Sequence, residues 1–192
     1  MINLLTLTSK GATHMVKIYT KVGDHGKTKQ VTGRMVPKYD LQIEALGAID
    51  ELDSWLGYVI SILSPKAQEL APKLNLIQHN LYELQADITV KRHHEITDEK
   101  TKQLETEIDA IMAKLPVIKA FILPGGNPSG AALQYARALA RKAERLVVEL
   151  NDKSQPLNEE ILEYLNRLSD YLFALARYAN LLEGYDEEKS KL

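Results

Sequence analysis

Apolar residues recur at steps of three and four over most of the chain, and this period is the one of an amphipathic α-helix. Five such stretches follow one another, separated by short segments that contain Pro, Gly, Ser or Asp. Their apolar stripes cover residues 43–63, 70–88, 104–115, 133–150 and 161–182. Short connections between long amphipathic helices favour antiparallel neighbours, so the pattern predicts an all-α, five-helix bundle.

The ends of the bundle are predicted from local signals. Thr97 or Asp98 precedes the third stripe as an N-cap, and Gly184 follows the fifth as a stop. Residues 185–192 are strongly charged and are predicted to form a flexible tail. Residues 1–14 lack the cationic region and cleavage site of a signal peptide, so they are predicted to be a tag or an N-terminal extension.

Composition narrows the classes of function. A chain of 192 residues corresponds to one domain, predicted here over residues 15–184. The absence of cysteine excludes disulfides, zinc–thiolate sites, iron–sulfur clusters and a cysteine nucleophile. A formal net charge of −2 argues against a dedicated nucleic-acid binder. No apolar run approaches the roughly 18 residues of a membrane-spanning helix, and a cytoplasmic protein is expected.

A row of arginines on the fourth predicted helix is the first chemical signal. Arg137, Arg141 and Arg145 lie at four-residue steps and therefore share a broad face. The row is either a solvated basic face with an intrahelical pair between Arg141 and Glu144, or a site for a phosphate chain, whose oxygens match the arginine fork. The spacing leaves both interpretations open.

Polar residues also interrupt the apolar fifth helix. Asn166, Asp170 and Arg177 lie along one side of it at steps of four and seven. Burying such groups unpaired costs a few kcal/mol each, so they either satisfy one another or face a cavity.

The segment before the first helix is rich in Gly, Thr and Lys and is predicted to be a loop-dominated arm. Its Gly26-Lys27-Thr28 suggests a Walker A loop, but only two residues separate Gly23 from Gly26 where that motif needs four. The arm remains able to bind phosphates through backbone N–H groups. Di-iron, zincin and nucleophile-elbow motifs are absent from the sequence.

Several segments in order resemble one known family. They are Lys17–Thr28, Ile43–Ser54, Phe121–Gly126, Ala136–Arg145, Tyr164–Asp170 and Ala176–Asn180. Together they resemble the PduO-type ATP:cob(I)alamin adenosyltransferases. The resemblance implies a ferritin-like five-helix bundle with a nucleotide-binding arm, assembled as a homotrimer with active sites between subunits. It also implies transfer of the 5′-deoxyadenosyl group of ATP to cob(I)alamin, with adenosylcobalamin and triphosphate as products.

The same resemblance implies the site residues. On the arm, ATP with its Mg²⁺ would be bound by Thr20, Lys21, Gly23, Asp24, Gly26, Lys27, Thr28 and Lys38. The adjacent subunit would complete the site with Arg137, Arg141, Glu144 and Asn166. No metal site of the protein's own is expected. ATP and cobalamin are the expected substrates, and a flavoprotein reductant or an adenosylcobalamin-dependent enzyme is an expected partner.

The resemblance implies catalytic roles for four residues, Asp50, Phe121, Arg137 and Arg141. Arg141 would neutralise the leaving phosphates, and Asp50 would pair with Arg137 across the subunit interface. Phe121 matches the family aromatic that occupies the lower face of the corrin. Two alternatives remain from the sequence: a non-catalytic ATP-binding regulator or scaffold on the same bundle, and a nucleotide hydrolase.

The chain departs from the family pattern at a few positions. They are Asp53 for Asn, Leu46 for Tyr, Lys142 for Arg and Val22 for Thr. Asp53 bears most on the site, because a carboxylate only accepts hydrogen bonds whereas an amide also donates them.

Overall fold

The computed structural model describes residues 18–191. The predicted tag or extension, residues 1–14, lies outside the described residues. The chain divides into two compact units at residue 38. The described part of the first unit is the arm, residues 18–38, and that of the second is the helical unit, residues 39–191.

The arm is a short hairpin preceded by a turn-rich loop. Strand β1, Lys27–Lys29, pairs antiparallel with β2, Met35–Pro37, with Thr28 opposite Val36. The turn between the strands closes where the Gly33 N–H donates to the Gln30 carbonyl at 2.8 Å. Gly33 has a φ of 89°, which glycine adopts without steric cost.

The helical unit contains five α-helices, as the periodicity predicts. They are α1 Leu41–Ser61, α2 Ala71–Thr89, α3 Asp98–Met112, α4 Pro128–Lys153 and α5 Glu159–Glu183, with a 3₁₀ helix at Pro65–Leu70 before α2. Helix α4 packs against α1 and α5, α3 packs against α5, and α1 packs against α2. Among residues 18–191, no helix is long and apolar enough to cross a bilayer.

Side chains and glycine fix the helix ends. Asp40 caps α1 by accepting from the Gln42 N–H at 3.1 Å, and Asn127 caps α4 by accepting from the Gly130 N–H at 2.9 Å. Gly184 ends α5 with a φ of 71°, the left-handed conformation that favours glycine at this position.

Trp55 ties α1 to α4. Its ring lies 5.0 Å from the ring of Tyr58 and 4.8 Å, edge on, from the ring of Tyr135. Its Nε1–H donates to the Ala132 carbonyl at 2.8 Å. Aromatic side chains from the two helices therefore form one cluster, with Tyr58 and Tyr135 half exposed at its edge.

Helix α5 is the central helix, and its second half is buried almost all round. The predicted polar stripe on it divides accordingly. Asn166 and Asp170 lie exposed on the first half, whereas Arg177 is buried and forms an ion pair with Glu187. The three residues therefore share no common environment, since two of them are exposed and one is buried.

The segment after α5 differs from the flexible tail that the sequence predicts. Residues 185–191, the C-terminal segment, run back along the α3–α4 connection, which we define as residues 113–127. Ile122 and Lys189 form an antiparallel β-bridge there. The charged residues of this segment suggested a solvated tail. One of them, Glu187, is instead the partner of buried Arg177.

Candidate functional site

The arm brings its predicted site residues into one tight turn system. The Asp24 N–H donates to the Lys21 carbonyl and the Gly26 N–H to the Gly23 carbonyl, each at 3.3 Å, and the Lys38 N–H donates to the Gly26 carbonyl at 3.0 Å. Lys21 has a φ of 61° and Gly26 a φ of 74°. Backbones with alternating φ signs form concave sets of N–H groups that bind anions.

Charge on the arm agrees with anion binding. Residues 18–38 contain five Lys or Arg residues and one Asp, in a chain whose net charge is −2. Lys21, Lys27 and Lys38 are exposed. The arm is therefore locally basic although the chain is not, and its cations are accessible to a polyanion.

Helix α4 presents the predicted arginine row with Arg141 and Arg145 exposed and Arg137 half-buried. Arg137 donates from Nε to Gln134 at 3.0 Å. Glu144 accepts from the Asn166 side chain at 2.9 Å, so the intrahelical pair between Arg141 and Glu144 is not formed. Within residues 18–191 the Arg141 guanidinium has no ion-pair partner, which leaves its donors available to an external anion.

Asp50 lies exposed on α1. Within the described residues it forms no ion pair with Arg137. An ion pair between α1 and α4 is formed by Lys142 and Glu51 instead. Lys142 is therefore already paired, although it stands where Arg is common in the family pattern.

Phe121 lies on the α3–α4 connection with 81% of its surface exposed. The ring is therefore accessible to an apolar ligand or partner. Arg141 lies thirteen residues after Pro128, where α4 begins, which places it about 20 Å along the helix axis from that end.

Two residues of α5 that sequence reasoning did not assign hold the α3–α4 connection. Asn180, buried on α5, accepts from the Asn127 N–H at 3.2 Å and donates to the Gly125 carbonyl at 3.1 Å. A Cβ at Gly126 would overlap the Asn180 side chain. The second residue is Arg177, which donates to the Pro116 carbonyl and to Glu187. The periodicity of the sequence does not reveal these contacts.

We expect Gly126→Ala to lower the free energy of unfolding by about 2–3 kcal/mol. Gly126 has a φ of 130°, and holding a residue with a Cβ in such a region costs on the order of 1–3 kcal/mol before any overlap is counted. Chemical denaturation at fixed protein concentration measures the change. The neighbouring Gly125→Ala is the control: its Cβ would meet nothing within 4 Å, and a shift below about 0.5 kcal/mol is expected. Equal losses in the two variants would contradict the prediction.

Asp53 combines burial with an unsatisfied oxygen. Its Oδ1 is buried without a hydrogen-bond partner. Burial, the largest cause, raises the pKa of Asp53 above its usual value; Gln78 and His79 act in the opposite sense, and the charge of Asp50 adds to the rise. The carboxylate therefore destabilises the folded chain, most fully at pH values above the raised pKa.

We expect Asp53→Asn to raise the free energy of unfolding by about 1 kcal/mol at neutral pH, since it removes a charge whose oxygen is buried unpaired. Because the folded pKa lies above the unfolded one, stability of the unmodified protein falls as the pH rises through the interval between them. The variant should lack this dependence in unfolding curves measured over a pH series. Glu51→Gln, an exposed change on the same helix, should keep it. A less stable Asp53→Asn protein would contradict the interpretation.

The chain is similar to known proteins over most of its length. The family model described as cobalamin adenosyltransferase matches residues 18–179. The corrinoid adenosyltransferase of Bacillus subtilis is 44% identical over 174 residues, which cover 88% of this chain and 89% of that protein. The corrinoid adenosyltransferase MMAB of Homo sapiens is 39% identical over 181 residues, covering 90% of this chain and 72% of that protein.

Solved structures show the same similarity. A variant PduO-type ATP:corrinoid adenosyltransferase from Lactobacillus reuteri, complexed with cobalamin and ATP, matches with a TM-score of 0.86 and 37% identity. The match covers 92% of this chain and 100% of that one. A second variant from the same organism, complexed with ATP, matches with a TM-score of 0.84 and 38% identity.

Proposed function

Because this chain belongs to the cobalamin adenosyltransferase family, we propose that it transfers the 5′-deoxyadenosyl group of ATP to the cobalt of cob(I)alamin. The observation that carries the proposal is the extent of the family match. It spans residues 18–179 and so includes every predicted site residue, from Thr20 on the arm to Asn166 on α5.

The reaction needs a positioned pair of substrates rather than an acid–base dyad. Co(I) donates an electron pair to C5′ of ATP, a cobalt–carbon bond forms, and the C5′–oxygen bond breaks to release triphosphate. Cobalt is oxidised from Co(I) to Co(III) in the same step. Holding two reactants in near-attack geometry supplies up to about 7–11 kcal/mol. The protein's contribution is therefore orientation of the substrates and stabilisation of the leaving group.

The arm and the arginine row suit the triphosphate. Backbone N–H groups around Lys21 and Gly26 would donate hydrogen bonds to phosphate oxygens, and the exposed cations of the arm would balance the phosphate charge. Arg141 presents a planar fork that matches two phosphate oxygens at once. Fixed cations of this kind stabilise negative charge that develops on a leaving group.

Magnesium would enter the site with ATP. Within residues 18–191 no group of three or more His, Asp or Glu side chains could hold a metal ion by itself. Mg²⁺ commonly binds substrate phosphates together with one or two carboxylates and several waters. Glu144, beside Arg141 on α4, is the carboxylate that fits this role, and the cation would neutralise phosphate charge when bound.

Phe121 has a different task. An exposed phenyl ring set against the lower face of the corrin would exclude water and the lower axial ligand from cobalt. Four-coordinate Co(II) is easier to reduce to Co(I) than the ligated form. We propose that Phe121 assists generation of the nucleophile, whereas the arm and Arg141 serve the ATP.

A homotrimer with active sites between subunits completes the proposal. Asp50, exposed and without an ion pair to Arg137 within the described chain, is available to the Arg137 of a neighbouring subunit.

We expect Arg141→Ala to lower kcat/KM for ATP by roughly tenfold or more, which corresponds to about 1.4 kcal/mol of lost transition-state stabilisation. Arg141→Lys should recover part of the loss, because it keeps the charge but not the fork. Arg167→Ala is the control: it removes a partly exposed arginine whose partners are Glu105 and Asp170, and such surface pairs contribute little. Steady-state kinetics with varied ATP measure all three. Equal losses of kcat/KM in Arg141→Ala and Arg167→Ala would contradict the assignment of Arg141 to the ATP site.

The function itself is tested with ATP, Mg²⁺ and chemically reduced cobalamin. The expected result is decay of the Co(I) absorption band together with formation of light-sensitive adenosylcobalamin and triphosphate. ATP binding without conversion of cobalamin would favour the regulator or scaffold instead. Release of phosphate or pyrophosphate without adenosylcobalamin would favour a nucleotide hydrolase.

A further inference from the structure

We propose that the C-terminal segment, residues 185–191, positions Phe121 for its task on the corrin, and that the ion pair between Arg177 and Glu187 anchors this segment. The inference rests on the proposed function, since it assigns a role to residues that support a side chain of that site. Glu187 and Arg177 are positioning residues in this account: they act on the substrate only through Phe121.

Backbone hydrogen bonds join the C-terminal segment to the residues around Phe121. The Ser190 N–H donates to the Phe121 carbonyl at 2.7 Å, and the Leu123 N–H donates to the Glu188 carbonyl at 2.8 Å. Ile122 lies between these bonds, opposite Lys189 in the β-bridge. The backbone of Phe121 is therefore fixed on the side where the C-terminal segment runs.

The Phe121 side chain, in contrast, has few contacts of its own, because 81% of its surface is exposed. Its direction follows from the backbone that carries it. A ring that must exclude a ligand from one face of a metal needs a defined direction, since a misplacement of about 1 Å can cost roughly 100-fold in rate. The hydrogen bonds that hold the Phe121 backbone therefore contribute to the proposed activity.

The anchor of the C-terminal segment is buried. The Arg177 side chain is 2% exposed, and its Nε lies 3.0 and 2.9 Å from the two carboxylate oxygens of Glu187. Its Nη2 donates to the Pro116 carbonyl at 2.9 Å, and its Nη1 lies 3.9 Å from the sulfur of Met112. One guanidinium thus contacts the end of α3, the start of the α3–α4 connection and the C-terminal segment.

The far end of the connection is held by the same helix. Asn180, three residues after Arg177 on α5, bonds to Gly125 and Asn127. Helix α5 therefore fixes both ends of the connection, and the C-terminal segment bonds to its middle, where Phe121 lies. Loss of Glu187 would strand a buried charge and release the C-terminal segment from α5.

Neighbouring glutamates provide a matched pair of variants. Glu187→Ala removes the anchor. Glu188→Ala removes an equal charge from an exposed side chain one residue later and keeps the backbone carbonyl that accepts from Leu123. Each variant is studied as the full chain by hydrogen exchange of the Leu123 and Ser190 amides and by turnover. Turnover is measured from Co(II) with a reductant and, separately, from cobalamin already reduced to Co(I).

We expect Glu187→Ala to lose protection at both amides and to lose roughly 10- to 100-fold in turnover from Co(II). Its turnover from Co(I) and its KM for ATP should change much less, and Glu188→Ala should resemble the unmodified protein throughout. Equal losses from Co(II) and Co(I) would mark a merely structural role and overturn the proposal. Retained turnover from Co(II) after loss of amide protection would also overturn it.

Glu187→Ala leaves the buried Arg177 unpaired and could impair folding, so a second variant tests the proposal without that change. Ser190→Pro leaves the Arg177–Glu187 pair intact but removes the N–H that donates to Phe121. It should reproduce the selective loss from Co(II), and unchanged turnover would overturn the proposal. Failure of the unmodified protein to form adenosylcobalamin from Co(I) would instead overturn the proposed function, and that measurement precedes every variant.

Discussion

Replacing Phe121 by alanine should lower turnover from Co(II) by roughly 100-fold or more, about 2.7 kcal/mol in activation free energy, while leaving ATP affinity unchanged. The ring is 81% exposed, so its removal leaves no cavity in the core and should not unfold the chain. Without it, water or the lower axial ligand can reach cobalt, and the ligated Co(II) resists reduction. Anaerobic spectroscopy of cobalamin turnover, with calorimetric titration of ATP, measures both effects.

Val117→Ala is the matched control for this experiment. Val117 lies on the same connection, is apolar and is 82% exposed, so its truncation removes another exposed apolar side chain from that connection. It should retain turnover from Co(II) to within about twofold, as surface substitutions generally have small effects. Phe121→Ala with normal turnover from Co(II) would show that the ring does not guard the corrin face.

The second large effect concerns assembly. Removing Asp50 or Arg137 should convert the proposed trimer to smaller species and abolish activity, because each change leaves the other charge unpaired in the interface. Breaking a buried ion pair in this way costs about 3–5 kcal/mol. Sedimentation velocity over a range of protein concentrations, with turnover measured at the same concentrations, gives the association equilibrium.

Glu51→Ala controls for the loss of an acidic side chain at this part of α1. Glu51 follows Asp50 directly, and its partner is Lys142 of the same chain, an exposed pair that contributes little. This variant should sediment and react as the unmodified protein does. An Asp50→Ala variant that stays a fully active trimer would remove the Asp50–Arg137 pair from the interface.

Local sequence signals predicted the helices because each helix buries one stripe. The apolar period located all five, and Gly184 ends α5 in the left-handed conformation that its position suggested. The end of α4 is less well predicted: it continues to Lys153, which bonds to Glu149 one turn earlier. Helix ends depend on such single contacts, and a period in the sequence does not encode them.

Local sequence signals did not predict the contacts between segments that are distant along the chain. The charges of residues 185–192 suggested a solvated tail, because nothing in the local sequence pairs Glu187 with Arg177. The role of Asn180 could not be predicted either, because the lack of room for a Cβ at Gly126, which reveals Asn180 as a close neighbour, is seen only in the folded chain. Family resemblance supplied the site residues, and their grouping on the arm and on α4 depends on the folded backbone.

Trp55 has a practical consequence for every experiment above. It is the one tryptophan in the sequence, and it lies where α1 meets α4, between Tyr58 and Tyr135. Its fluorescence therefore reports a single, known contact in the helical unit, without a label. Since the chain also has no cysteine, one introduced thiol could carry an acceptor dye, and energy transfer from Trp55 would then follow movement of any chosen surface position.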